Sequence, residues 1–186
     1  MKRSLFIAAI AVLSTVVLQA QEKFYTKTGK ILFKCTKSLL EKIEATNKSG
    51  TCVLNAKNGN LQFAIMMKGF EFDRALMQEH FNENYVESSK FPKAEFKGQI
   101  TNNSDIDYSK DGTYTAKVKG KLQIHGETKD VEAVGTINVK EGKVVTAANF
   151  AIQLSDFNIT IPTLVADKVS NTVNISIDCS LDPLKS

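Results

Sequence analysis

The sequence predicts an all-β chain: a closed antiparallel barrel of about eight strands carrying one short helical insertion. Three observations carry this. Apolar and polar residues alternate with a period of two in segment after segment, short turn motifs separate those segments, and one stretch between Asp73 and Pro92 breaks the period. The 186 residues are 42% apolar and 24% charged, with 10 Gly and 3 Pro. This is the composition of an ordinary folded domain, and one core of this size stands without a metal or disulfide staple.

Residues 1–20 read as a leader rather than as part of that domain. Lys2 and Arg3 precede an apolar run from Leu5 to Leu18 that ends at Gln19-Ala20, the pattern of a secretory signal peptide cleaved near Ala20. The run is shorter than the roughly 20 residues needed to cross a bilayer. The expectation is therefore an exported protein, periplasmic or secreted, with residues 21–186 as one domain. Losing Lys2 and Arg3 takes the 24 basic residues to 22 against 20 acidic ones, a net charge of +2. Such a balance gives no footprint for nucleic acid.

Along the mature chain, Ile31, Phe33 and Cys35 fall at alternate positions, and so do Cys52, Leu54 and Ala56. Leu61, Phe63, Ile65 and Met67 share one face of the next segment, and Ala94, Phe96, Gly98 and Ile100 that of a later one. The clearest strand follows Gly112, with Tyr114, Ala116, Val118, Gly120, Leu122 and Ile124 on one side and Thr115, Lys117, Lys119 and Lys121 on the other. Val131 to Val139, Val144 to Leu154 and Val173 to Leu181 repeat the pattern. Turns at Asn58-Gly59, Asp111-Gly112, His125-Gly126 and Glu141-Gly142 make consecutive strands antiparallel neighbours. So many long, one-faced strands are most simply accommodated by closure, with the dry faces inward.

Those inward faces are rich in small residues: Gly98, Ala116, Gly120, Ala133, Gly135 and Ala148. Spaced between Phe, Ile and Leu, they leave volume unfilled, which suits a barrel that holds one small apolar guest. They also suit strands that bend and coil closely, and composition leaves both readings open. Strand phase assigns Phe33, Phe63, Ile65, Met67, Phe96 and Val118 to the lumen. It adds Leu122, Ile124, Phe150, Ile152, Ile175 and Ile177 from the later strands.

In the insertion, Asp73 is placed to cap a short helix with Leu76, Met77, His80 and Phe81 on one face, and Asn84 to Lys90 suits a second turn before Pro92. Set over an open end it becomes a lid, with Met77, Phe81, Tyr85 and Phe91 closing on a guest. Set against the core, the same side chains are a plug.

Markers of chemistry are sparse. His80 and His125 are the two histidines, 45 positions apart, and no metal-ligand spacing joins them to Cys35, Cys52 or Cys179. No nucleophile elbow, P-loop or dinucleotide fingerprint occurs. Glu79, Glu83 and Glu87 recur every four residues, the spacing of a solvated helix face. The three cysteines read first as buried thiols on strand faces; the alternative is one disulfide, Cys35–Cys52 or Cys35–Cys179, leaving a free thiol.

Four segments carry a likeness to a known family. Phe70-Glu71-Phe72, the stretch from Met77 to Gly98 (which contains Glu87-Ser88-Ser89-Lys90-Phe91-Pro92), and Gly120 to Lys129 with its His125-Gly126-Glu127 resemble the YceI-like lipid/polyisoprenoid-binding family of bacteria. Asp156-Phe157-Asn158-Ile159 is similar to that family's late Asp-Phe-Gly-Ile-type motif, with Asn158 where Gly is more usual. The resemblance runs from about Phe24 to about Leu181. It implies a lipocalin-like eight-stranded barrel, secreted or periplasmic, with an isoprenoid or other amphiphilic chain in its lumen, and it hands over no catalytic set.

The function expected is thus non-enzymatic binding of an isoprenoid, quinone-like or other long-chain amphiphilic lipid, with no cofactor, metal or nucleic-acid partner. Two alternatives stand beside it: an enzyme acting on captured lipid through His80 or a helical Glu, and an interaction module whose barrel is filled by side chains. Homodimerisation and transient membrane contact are left open.

Overall fold

A computed structural model describes residues 23–36 and 42–184; the leader expected at residues 1–20 lies outside them. Strands β1 (Lys23–Thr36), β2 (Glu44–Asn55) and β3 (Asn60–Met66) lead to the two-residue strand β4 (Glu71–Phe72) and the helix α1 (Ala75–His80). Strands β5 (Lys93–Ile100), β6 (Gly112–Ile124), β7 (Glu127–Lys140), β8 (Lys143–Gln153) and β9 (Val169–Pro183) follow. Among the described residues the eight long strands pair in the order β1-β2-β3-β5-β6-β7-β8-β9, and β9 returns to β1. Every pairing is antiparallel. The barrel is therefore closed, and β4 adds a short flap on the first residues of β2 through Ala45 and Thr46.

Local chemistry explains the closure. The β6–β7 hairpin turns at His125 (φ 52°) and Gly126 (φ 81°), and the β7–β8 hairpin at Glu141 (φ 51°) and Gly142 (φ 76°). Two successive left-handed residues match the twist of the strands they join. β6 then alternates between buried or half-buried Ala116, Val118, Leu122 and Ile124 and exposed Lys117, Lys119, Lys121 and Gln123.

The helical insertion differs from its expected form. α1 begins at Ala75 with extended Arg74 at its cap and no side-chain cap, so Asp73 stands one residue too early to serve. The Gln78 side chain ties this entry instead, its Oε1 accepting from the Phe72 amide at 3.2 Å. Phe81–Tyr85 continues as a wider π turn. Beyond it, Glu87 (φ 43°) opens a tight turn in which the Lys90 and Phe91 amides donate to the Glu87 carbonyl, rather than a second helical turn.

Two apolar clusters divide the interior. At the end where β1 begins and β2 finishes, Phe24, Leu54, Ile100, Ile137, Val144 and Leu181 close the barrel, with Ile106 and Tyr108 packed beneath. At the other end, Ile65, Met67, Phe70, Leu122, Ile124, Ile152 and Val173 form a ring under the insertion. Phe63 and Ile177 touch both clusters.

Candidate functional site

Between the two clusters lies a cavity of about 440 Å³, within the size range of small-molecule sites. Its walls are the inward faces of the strands, and its roof is α1 with the turn that follows. Each lumen residue expected from strand phase lines it: Phe33 on β1, Phe63 and Ile65 on β3 with Met67 just after, Phe96 on β5, Val118, Leu122 and Ile124 on β6, Phe150 and Ile152 on β8, and Ile175 and Ile177 on β9. Of the roof residues, Met77, Phe81 and Tyr85 line it as well. Phe91 does not. The turn opened by Glu87 carries Phe91 outside the cavity, where its ring meets His125 edge-on at 4.5 Å.

Both readings of the small inward residues hold, at different places. Ala116, Ala133 and Ala148 line the cavity and leave it room; Gly135 lines it too, and a Cβ there would also fall 2.5 Å from the Ala147 carbonyl oxygen. Gly98 and Gly120 do not line it; they face one another across β5 and β6, and a Cβ on either would fall within 2.4–2.6 Å of backbone and of the Phe96 ring. That ring folds over the pair, so here glycine serves close packing.

Five aromatic contacts hold the roof down. Phe33 meets Phe70, Phe72 and Phe81 at centroid distances of 5.2, 5.6 and 5.4 Å, and Phe81 meets Phe70 and Phe72 at 5.6 and 5.1 Å. Spacings of this kind add to area burial for each pair.

The end of the roof is tied by a polar clasp that period-two reading does not reveal. His125 Nε2 lies 2.8 Å from Glu87 Oε2, and its Nδ1 lies 3.0 Å from the Phe157 carbonyl oxygen. Both ring nitrogens face acceptors, an arrangement satisfied at both by the imidazolium. Asn158, left-handed at φ 54°, donates through Nδ2 to Glu127 Oε1 at 2.8 Å. Gly126 has no room for a side chain, because a Cβ would sit 2.7 Å from the Phe91 ring. The segments that carried the family likeness, Glu87 to Phe91, His125 to Glu127 and Phe157-Asn158, thus meet at one spot outside the cavity. Their spacing in the chain gave no hint that they meet; a histidine in a left-handed turn was the one local signal.

All three cysteines are free and buried. Neither alternative bridge to Cys35 forms, because Cys35 belongs to the lid-end cluster while Cys52 and Cys179 belong to the closed-end cluster. Burial pushes the Cys35 thiol up to about 11. The Cys179 thiol is held below its ordinary value by hydrogen bonding from Cys52 and Thr146. His80 is exposed, and its Nδ1 lies 3.1 Å from Asn84 Nδ2. Among the described residues no group of three or more His, Cys, Asp or Glu is arranged to hold a metal ion.

The fold has known relatives. A polyisoprenoid-binding domain from Saccharophagus degradans implicated in plant cell wall breakdown is similar at a TM-score of 0.76 and 12% identity, over 88% of this chain and 99% of that one. BcnA of Burkholderia cenocepacia is similar at 0.66 and 18%, over 82% of this chain and 95% of its own. The YceI protein of Campylobacter jejuni aligns over the whole of both chains at 0.50 and 16%. At such identities the likeness is one of fold. No curated protein matches the chain. The YceI-like domain model, however, matches residues 23–181, the same span that closes the barrel and forms the clasp, and the chain belongs to the YceI-like family.

Proposed function

We propose that the protein is an exported carrier or buffer for a long-chain lipid, isoprenoid or quinone-like in kind, whose tail occupies the lumen. The observation that carries this reading is the cavity of about 440 Å³. Inward side chains such as Phe33, Phe63, Phe150 and Ile175 stay only half-buried around it, so an apolar guest gains what a filled core would otherwise supply. Burying ten CH₂ groups contributes on the order of 8 kcal/mol before ordering costs are subtracted. Micromolar affinity or better follows from shape and apolar contact.

The family supports this assignment, as does the polyisoprenoid binding named for the Saccharophagus domain. The leader pattern of residues 1–20 supports export to the periplasm or beyond. Binding rather than catalysis is supported by the histidines: His125 is committed to the clasp, and His80 faces an amide rather than a nucleophile.

Organic extraction of the protein purified from its native host, followed by mass spectrometry, tests the proposal. A lipid near one per chain is expected. Protein that comes out empty from several hosts and fails to take up farnesol or a short-chain ubiquinone overturns it.

A further inference from the structure

Two of the three thiols meet. Cys52 on β2 and Cys179 on β9 are buried and line the same cavity. The Cys52 S–H donates to the Cys179 sulfur, which also accepts from the Thr146 hydroxyl. One strand, β1, lies between β2 and β9, and two features let the sulfurs reach each other across it. Its register slips on both sides at this level, between Thr26 and Gly29 against β2 and between Tyr25 and Lys30 against β9, and such bulges re-aim the side chains around them. The residue that β1 sets beside the cysteines is Gly29. A Cβ there would lie 2.8 Å from Cys179 Sγ and 3.3 Å from the ring of Phe63, the cross-strand partner of Cys52. Any side chain at Gly29 would thus press on the Cys179 sulfur. Cys35 sits in the lid-end cluster, apart from both.

A buried thiol standing alone packs as a small apolar group, whereas two that share a hydrogen bond are the reactants of a disulfide. We infer that Cys52 and Cys179 are a redox pair that closes to a disulfide across β1, with another disulfide, small or on a protein, as the oxidant. An exported protein meets such oxidants. The hydrogen bonds assign the roles. With Cys52 and Thr146 donating to it, Cys179 is the better thiolate, and it attacks one sulfur of the oxidant and releases the other. The Cys52 sulfur then attacks Cys179 in the mixed disulfide and releases the second half of the oxidant. Each protein thiol gives its proton to one departing thiolate, so two protein thiols are oxidised to one disulfide and the oxidant is reduced to two thiols. The bridge joins residues 127 positions apart and ties β2 to β9 over the strand that closes the barrel, so closure no longer depends on the hydrogen bonds of β1 alone. This inference stands apart from the lipid reading, since the pair closes with or without a guest.

Oxidation of the fully reduced protein with oxidised glutathione, followed by blocking of the remaining thiols with iodoacetamide in guanidinium chloride, tests this by mass spectrometry. One blocked cysteine per chain, Cys35, and a pair of tryptic peptides linked through Cys52 and Cys179 are expected. The bridge is expected to raise the melting temperature by about 5–10 °C, a gain that dithiothreitol removes. Cys35→Ser oxidises as the parent protein does, whereas Cys52→Ser gains no stability on oxidation. Three blocked cysteines after prolonged oxidation, a glutathione adduct that stays on Cys179, or a bridge that includes Cys35 overturns the inference. A Cys52–Cys179 bridge that lowers the melting temperature overturns it too, because the fold must then be distorted to make the bond.

Discussion

The closed end of the barrel and its middle are built from the same strands and have opposite interiors. At the closed end Leu54, Val144 and Leu181 are 0% exposed, and Phe24 is 1% exposed. A few residues along the same inward faces, Phe63 and Phe96, Phe150 and Ile175, remain half-buried around an open space. Side-chain size does not explain this, since the rings are larger where the packing is looser. The difference lies in what shares the space: Tyr108 and Ile106 fill the closed end from a loop, whereas the small residues Ala133, Gly135 and Ala148 line the middle. The closed end therefore holds the fold together, while the middle encloses the apolar cavity.

The sharpest way to break that comparison is truncation at the closed end. Leu54→Ala is expected to cost about 2–5 kcal/mol, the range for a buried leucine whose site cannot collapse. Ile175→Ala in the lumen removes contacts already incomplete and is expected to cost less than half as much. Chemical denaturation of both variants measures the contrast, and equal losses would show that the lumen is packed like the other end.

Next comes the clasp. His125→Ala unpairs the Glu87 carboxylate and the Phe157 carbonyl, and about 1–3 kcal/mol is expected to be lost. Amide exchange should quicken over residues 75–91 while the closed end stays protected. Uniform quickening instead would mean that the lid and barrel open as one unit.

A subtler effect is expected of the thiols. Burial holds Cys35 at about 11, so little thiolate exists near pH 8 and native Cys35 should alkylate far more slowly than a free cysteine, with labelling rising as pH climbs toward that value. Rapid labelling at pH 8 would show the lid end to be open to reagents. On the outer wall, Lys119 and Glu132 pair at 2.8 Å, yet both are exposed, and Glu132→Gln is expected to leave the melting temperature unchanged.

Much of this was legible in the chain because each strand buries one face, and a period of two records which residues those are. Phe33 to Ile177 were placed in the lumen for that reason alone. The same period says nothing about which turns meet, so the bond between Glu87 and His125 was invisible, and Phe91 was assigned to the roof when it belongs to the clasp. Helix start signals failed at Asp73 because the Gln78 side chain secures the entry from inside α1. Gly98 and Gly120 counted toward an empty lumen, although the Phe96 ring fills the space above them.

The central claim is that the side chains in the middle of the barrel leave a cavity that an apolar chain fills. Calorimetric titration of delipidated protein with farnesol at several temperatures, beside an Ala133→Phe variant that fills the space, tests it directly. The account predicts one site with a negative heat-capacity change in the parent protein, and a variant that folds normally but gives no binding heat. Binding that persists undiminished in Ala133→Phe, or a parent protein that gives no heat at any temperature, would contradict it.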